Sequence, residues 1–321
     1  MELTLSALLH MLLFPGGVFA LGAGLLLKGV DRRVQARLQR RVGPPLLQPF
    51  LDLAKLAAKE TLVPETANRT AFLAAPLIGL TGMAVAAALI PVPGAYSGMP
   101  EMGDMLVLFY LLPLPAIALM VGGSASSSPF GALGFSREMG LMLAYEIPLL
   151  AVLLAVAMKA GAAVGAGPAL SLTVVVGHQM AAGQFGFSPA MLPALAAYLL
   201  FLPGTLGVPP FDVPEAESEI VEGPLLEYSG PALGFFHLAS ALKTMVVLGL
   251  GVDMFFPTPL PGGALVNVCW FLAKCLALML VSLTVARAAT GRFRPDQAFT
   301  FFLKYPAPLA LASLALAWMG F

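Results

Sequence analysis

The chain has 321 residues, 59% of them hydrophobic and only 11% charged, with a formal net charge of zero. A soluble domain carries about 25% charged residues, so composition excludes an ordinary globular enzyme, and the balanced charge argues against a general nucleic-acid role. Apolar runs of about 20 residues, without the alternation of barrel strands, imply an all-α integral membrane protein.

Hydropathy predicts eight spans within one polytopic membrane domain, 1–321. The first, 4–27, has no basic residue before it. It is followed by Lys28, Arg32, Arg33, Arg37, Arg40 and Arg41, so it reads as a span with an outside N-terminus and not as a cleaved leader. The connection 28–69 is broken at Arg41-Val-Gly-Pro-Pro45. Leu46–Lys59 then sets Phe50, Leu53, Leu56 and Ala57 on one helical face and Asp52, Lys55 and Lys59 toward the other. Such an amphipathic helix rests on the membrane surface or beneath a docked soluble protein.

Spans follow at 70–91, 104–122 and 138–158. The last opens with Arg137 and Glu138 and contains Glu146. Ionisable residues inside a bilayer cost about 2.5–3.5 kcal/mol each and face a cavity or a partner. Glu138 and Glu146 lie about 12 Å apart along a helix and about 80° apart around it, so both can look toward one cavity. The Gly/Ala-rich loop 159–189 is polar only near His178–Gln179 and reads as a surface loop with an interfacial segment. Span 190–208 comes next.

Pro209–Tyr228 carries six carboxylates and no Lys or Arg. Charges packed so densely beside a bilayer need protons, a basic partner surface, or both. Pro214 suits a first helical turn. At about 100° per residue, Asp212, Glu215, Glu219 and Glu222 would share one arc, with Glu217 pointing elsewhere. Pro209-Pro210-Phe211 and Gly223-Pro224 force turns at both ends, which gives a re-entrant loop lining a polar cavity. The simpler alternative is a solvated acidic face.

Span 232–256 contains Lys243 and, near its far end, Asp253. Lys243 and Glu146 are natural members of a proton relay; a static ion pair between spans is the plainer reading. Span 264–286 contains Lys274 with Cys269 and Cys275, whose six-residue step points them to opposite sides of a helix, as packing residues. The last span is 299–320. His10, His178 and His237 are far apart, and no haem or iron–sulfur spacing is present. Electrons, if any, belong to another subunit. The inner segments 28–69, 123–137, 209–231 and 287–298 hold 13 of the 17 Lys and Arg, whereas the outer segments hold only Lys159. This bias predicts both termini outside.

Several motifs together, Arg41-Val-Gly-Pro, Leu46-Leu-Gln-Pro-Phe-Leu-Asp-Leu-Ala-Lys-Leu, Ser136-Arg-Glu-Met, Ala144-Tyr-Glu-Ile-Pro, Pro210-Phe-Asp-Val-Pro-Glu-Ala-Glu-Ser-Glu and Glu227-Tyr-Ser-Gly, resemble the subunit 1 family of respiratory complex I. The resemblance spans nearly the whole chain. Gly43-Pro44-Pro45 running straight into Leu46, Glu222-Gly-Pro-Leu-Leu-Glu-Tyr and Arg292-Phe-Arg-Pro-Asp-Gln-Ala look more like the branch in membrane-bound, energy-converting nickel–iron hydrogenases.

That resemblance implies a membrane anchor and proton-coupling subunit in a prokaryotic cytoplasmic membrane. It carries no cofactor itself; a nickel–iron centre and iron–sulfur clusters would lie in partner subunits. The partners implied are hydrogenase large and small subunits, a ferredoxin-like iron–sulfur subunit and an antiporter-like membrane subunit. Docking would use Arg37, Arg40, Arg41, Asp52, Lys55, Lys59, Glu217 and Glu227. The relay would be entered at Asp212, Glu215, Glu219 and Glu222, with Glu138, Glu146 and Lys243 deeper. The rival readings are a quinone-channel subunit of a complex I-type oxidoreductase, a non-translocating anchor, and a stand-alone secondary transporter.

Overall fold

The structure, a computed structural model, describes residues 9–99, 104–164 and 167–321, apart from the side chains of 163, 164, 217 and 218. Described in chain order, the helices are α1 (Gly17–Leu38), α2 (Gln48–Ala57), α3 (Arg69–Leu89), α4 (Met105–Leu111), α5 (Leu114–Ala125) and α6 (Pro129–Val164). They continue with α7 (Leu172–Ala182), α8 (Leu192–Thr205), α9 (Glu217–Ile220), α10 (Gly230–Phe255), α11 (Ala264–Met279), α12 (Val285–Ala289), α13 (Pro295–Lys304) and α14 (Pro306–Trp318). Proline opens many of them: Pro49, Pro115, Pro193, Pro231, Pro295 and Pro306 sit in first turns, where the missing N–H costs nothing. Asn68 and Asp104 cap α3 and α4 by accepting from Ala71 N and Leu106 N.

Among the described residues, seven helical segments are long and apolar enough to cross a membrane: Leu9–Leu38, Arg69–Leu89, Met105–Ala125, Pro129–Ala162, Gly230–Phe255, Ala264–Ala289 and Pro295–Trp318. The predicted span 190–208 becomes α8, whose 14 residues make about 21 Å of helix, short of the roughly 30 Å hydrocarbon layer. Irregular chain completes its path. Ala190 O accepts from Ser313 Oγ at 2.8 Å, and Pro210 O accepts from Phe293 N at 3.0 Å. Segment 190–210 therefore runs beside 293–313, and its non-helical end is covered by protein, as irregular backbone at membrane depth must be.

Helix α10 is the central post and is packed by α1, α2, α3 and α11, while α6, α8 and α14 form a second group beside it. Close approach of α1 to α10 depends on Gly24. A Cβ there would lie 2.1 Å from the carbonyl oxygen of Ala241. That contact brings Lys28, one turn further on, within 2.6 Å of Ser240 Oγ. Gly24→Val should therefore cost about 1–3 kcal/mol through overpacking. Gly22→Val on the same helix, where nothing lies within 4 Å, is the control; thermal unfolding of the two variants checks it.

Four sequence expectations need correction. The first span does not end at 27; the helix runs to Leu38, so Arg32, Arg33 and Arg37 are helical, and residues 4–8 lie outside the described residues. The loop 159–189 is largely helical, with α6 continuing to Val164 and α7 burying Leu172, Val175, Val176 and Gln179. Gln179 links elements by donating to Asp253 O and accepting from Phe185 N. Helix α2 lays its partly buried Phe50, Leu53 and Leu56 toward the protein, with Leu56 beside Gly234 of α10, instead of onto lipid. Ala57 is exposed with Lys55 and Lys59. The predicted acidic stripe is dissolved, as described next.

Candidate functional site: an ionisable cavity beneath the acidic loop

Residues 209–228 do not form one helix. A short 3-10 turn, Val213–Glu215, is followed by α9 and by a second 3-10 turn, Gly223–Leu225. Three successive left-handed residues, Val221 (φ 49°), Glu222 (φ 64°) and Gly223 (φ 54°), stop α9 after four residues. Each acid consequently meets a different environment. Asp212 takes a bidentate pair from Arg292, Nε donating to Oδ1 at 2.9 Å and a second guanidinium nitrogen donating to Oδ2. Glu219 pairs with Arg137, whose guanidinium also donates to Val213 O at 3.4 Å. Glu222 is exposed. The counter-charges sought for this loop thus include two arginines of the same chain, 80 and 82 residues away.

Glu215 turns the other way. With Pro214 and Leu225 it lines a cavity of about 110 Å³ whose polar wall is completed by Glu138, Thr205, His237, Ser240 and Lys243. That volume has room for several water molecules. The cavity bears out the re-entrant geometry expected of the loop. Glu138 and Lys243 are otherwise buried, at 9% and 5% exposure. Glu215 combines enclosure by the protein with an exposed side chain, because the cavity itself gives it accessible surface. Desolvation raises its pKa to about 7; Glu138, Glu222 and Asp212 push in the same direction and Lys28 opposes them. A carboxylic acid that titrates near neutrality thus faces a buried acid and a buried amine.

Glu146 is placed differently from expectation. It is half-buried and absent from the cavity wall, and its Oε1 is buried without a hydrogen-bond partner. Lys243 forms no ion pair within 4.0 Å of a described carboxylate, and its ammonium lies 5.9 Å from the Tyr145 ring centroid. The static Glu146–Lys243 pair is therefore not formed.

Among the proposed docking residues, Arg37, Arg40, Arg41, Lys55 and Lys59 are exposed at the loop side of α1 and along α2, and Glu227 is partly exposed. Arg41 donates to the Gln39 side chain. Asp52 is engaged within the chain, accepting from Gln48 Nε2 at 2.7 Å and lying 3.5 Å from Arg32. The side chain of Glu217 lies outside the described residues. The two long connections meet at Ser229, whose hydroxyl accepts from Leu62 N at 2.9 Å and donates to Glu60 O at 3.3 Å.

Sequence reasoning missed Lys28, His237, Thr205, Ser240 and Arg292 as members of this site. Only Arg292, inside a quoted motif, carried any signal. A small apolar contact brings Lys28 in, and nothing local announces it.

Comparison with known proteins gives a consistent result. The model of a family described as NADH dehydrogenase matches residues 10–318. A membrane subunit of the NADH-quinone oxidoreductase of Syntrophotalea carbinolica is 33% identical over 95% of this chain and 93% of that protein. Formate hydrogenlyase subunit 4 of Escherichia coli is 33% identical over 84% and 87% respectively. A chain of the membrane-bound sulfane sulfur reductase, an archaeal respiratory membrane complex, superposes with a TM-score of 0.86 at 27% identity, covering 99% of this chain and 100% of that one.

Proposed function

The chain belongs to the NADH dehydrogenase family and is a multi-pass membrane subunit of the complex I-like kind, and from that premise we propose that it couples redox chemistry in a docked soluble arm to proton movement through the cavity beneath residues 209–228. The observation that carries this reading is the convergence of Glu215, Glu138, Lys243 and His237 on one small polar cavity at the base of the acidic loop. Groups so placed can take a proton from the loop side and pass it inward by short hops through water. The reading extends to an energy-converting nickel–iron hydrogenase-type assembly, in which the exposed basic residues of α1 and α2 hold the soluble subunits. The shortened Gly43-Pro44-Pro45 junction supports that branch. So does the size of the cavity, which falls below the roughly 300 Å³ at which small-molecule pockets begin.

A quinone-linked assembly is the second reading, favoured by the identity to chains named as NADH-quinone oxidoreductase subunits. Inverted membrane vesicles separate the possibilities. Glu138→Gln should abolish proton uptake while electron transfer to a water-soluble dye continues at close to its normal rate; Glu146→Gln tests the expected inner relay member in the same assay. Unchanged pumping in both variants would leave only an anchoring role. Activity that requires a quinone and stops with a quinone-site inhibitor would favour the second reading.

A further inference from the structure

A second, larger cavity of about 600 Å³ lies at the far end of the bundle, and the proposed function makes no use of it. Its wall includes Lys159 of α6 and His178 of α7, with Gln184, Phe187 and Ser188 from the segment that follows. Lys159 stands 21 positions beyond Glu138 on the same helix, about 30 Å along the axis and so roughly one hydrocarbon thickness away. Aromatic side chains mark the same level: Phe187 is 76% exposed, and Trp318, beside the lining residue Ala317, is 79% exposed. Exposed aromatic rings of this kind belong at a membrane–water interface.

The chemistry of the wall selects a charge sign. Among the described residues, no Asp or Glu lines the cavity. Lys159 is half-buried and makes no ion pair or hydrogen bond with any described residue. His178 offers a ring N–H and Ser188 a hydroxyl, while the Gln184 amide nitrogen is already committed to Thr258 Oγ1. A lysine near a helix end often reaches past the protein into water. Here it borders a concavity shared with His178 instead, and the volume is that of a ligand site.

We propose that this cavity binds a phosphate-bearing anion through Lys159 and His178, with the apolar surface around Phe187 and Trp318 accommodating an attached lipid chain. A headgroup phosphate and a free phosphate ion share the recognised chemistry, and the test distinguishes them. The full-length protein, in the assembly in which it purifies, is stripped in neutral detergent and then given phosphatidylglycerol, phosphatidylcholine or inorganic phosphate. Bound lipid is counted by native mass spectrometry, and thermal midpoints are recorded in parallel.

Phosphatidylglycerol should be retained and raise the midpoint, with phosphatidylcholine weaker. Lys159→Gln should weaken retention at least about tenfold through loss of one charge-assisted contact. His178→Gln should weaken it less, and Lys159→Arg should keep it. Protection by inorganic phosphate alone, lost in Lys159→Gln, would support the anion site and identify a free ion as its occupant. Equal retention of both lipids, or retention unaffected by Lys159→Gln and His178→Gln, overturns the proposal. If Lys159→Gln fails to accumulate, Lys159→Arg and His178→Gln carry the comparison.

Discussion

Replacing Glu215 by Gln should remove a titration near pH 7 from this protein and, with it, the pH dependence of proton uptake between about pH 6 and 8. Among the described residues, Glu215 is the one acid of the loop turned into the cavity, while Asp212 and Glu219 are held by arginines. Enclosure lifts its pKa from 4.5 to about 7, so the wild-type side chain is mostly protonated at pH 6 and mostly ionised at pH 8.

The sign for stability follows directly. The folded carboxyl binds its proton more tightly than the unfolded one, so stability is highest below about pH 4.5 and declines as the pH rises through about 7. The Glu215→Gln protein should lose that slope and melt higher than wild type, relative to their difference at pH 5, when both are compared at pH 8. A carboxyl C=O band in infrared difference spectra, present at pH 6, absent at pH 8 and missing from the variant, would assign the group. An infrared titration and a melting profile identical in the two proteins would remove Glu215 from the relay.

The same loop shows where the sequence was legible and where it was not. Proline and glycine at both ends announced an irregular, cavity-lining segment, and the structure has one. The helical stripe failed because Val221 and Glu222, neither of them glycine, adopt left-handed backbone and end α9; local propensity gives no cue to that. The neutralising arginines were unreadable for another reason, since Arg137 and Arg292 approach only after α6 and the segment before α13 have packed. Lys28 and His237 join the cavity through the α1–α10 crossing, which depends on Gly24. Spans were read well because hydropathy is a local sum, and the exception, α8, is a segment whose irregular end is buried in protein and not exposed to lipid.

Arg287→Ala should be the most destabilising single change, costing about 3–5 kcal/mol because it leaves a buried carboxylate without its counter-charge. Asp31 of α1 is 4% exposed. It is held by the Arg287 guanidinium and by Thr284 Oγ1, which donates at 2.7 Å. Both partners adjoin the π turn Leu280–Thr284, a widened helical turn of the sort that often marks a functional position. Asp31 follows Lys28 by three residues, so this knot also fixes the register of the α1 segment that meets Ser240 at the cavity edge. Loosening it should lower the thermal midpoint and reduce coupling together. A double variant, Asp31→Leu with Arg287→Leu, removes both charges and should recover much of the lost stability, because the penalty belongs to the unpaired charge more than to the missing bond. Chemical unfolding of the single and double variants measures the difference. An Arg287→Ala protein that unfolds at the wild-type midpoint would mean that solvent, and not Arg287, satisfies Asp31.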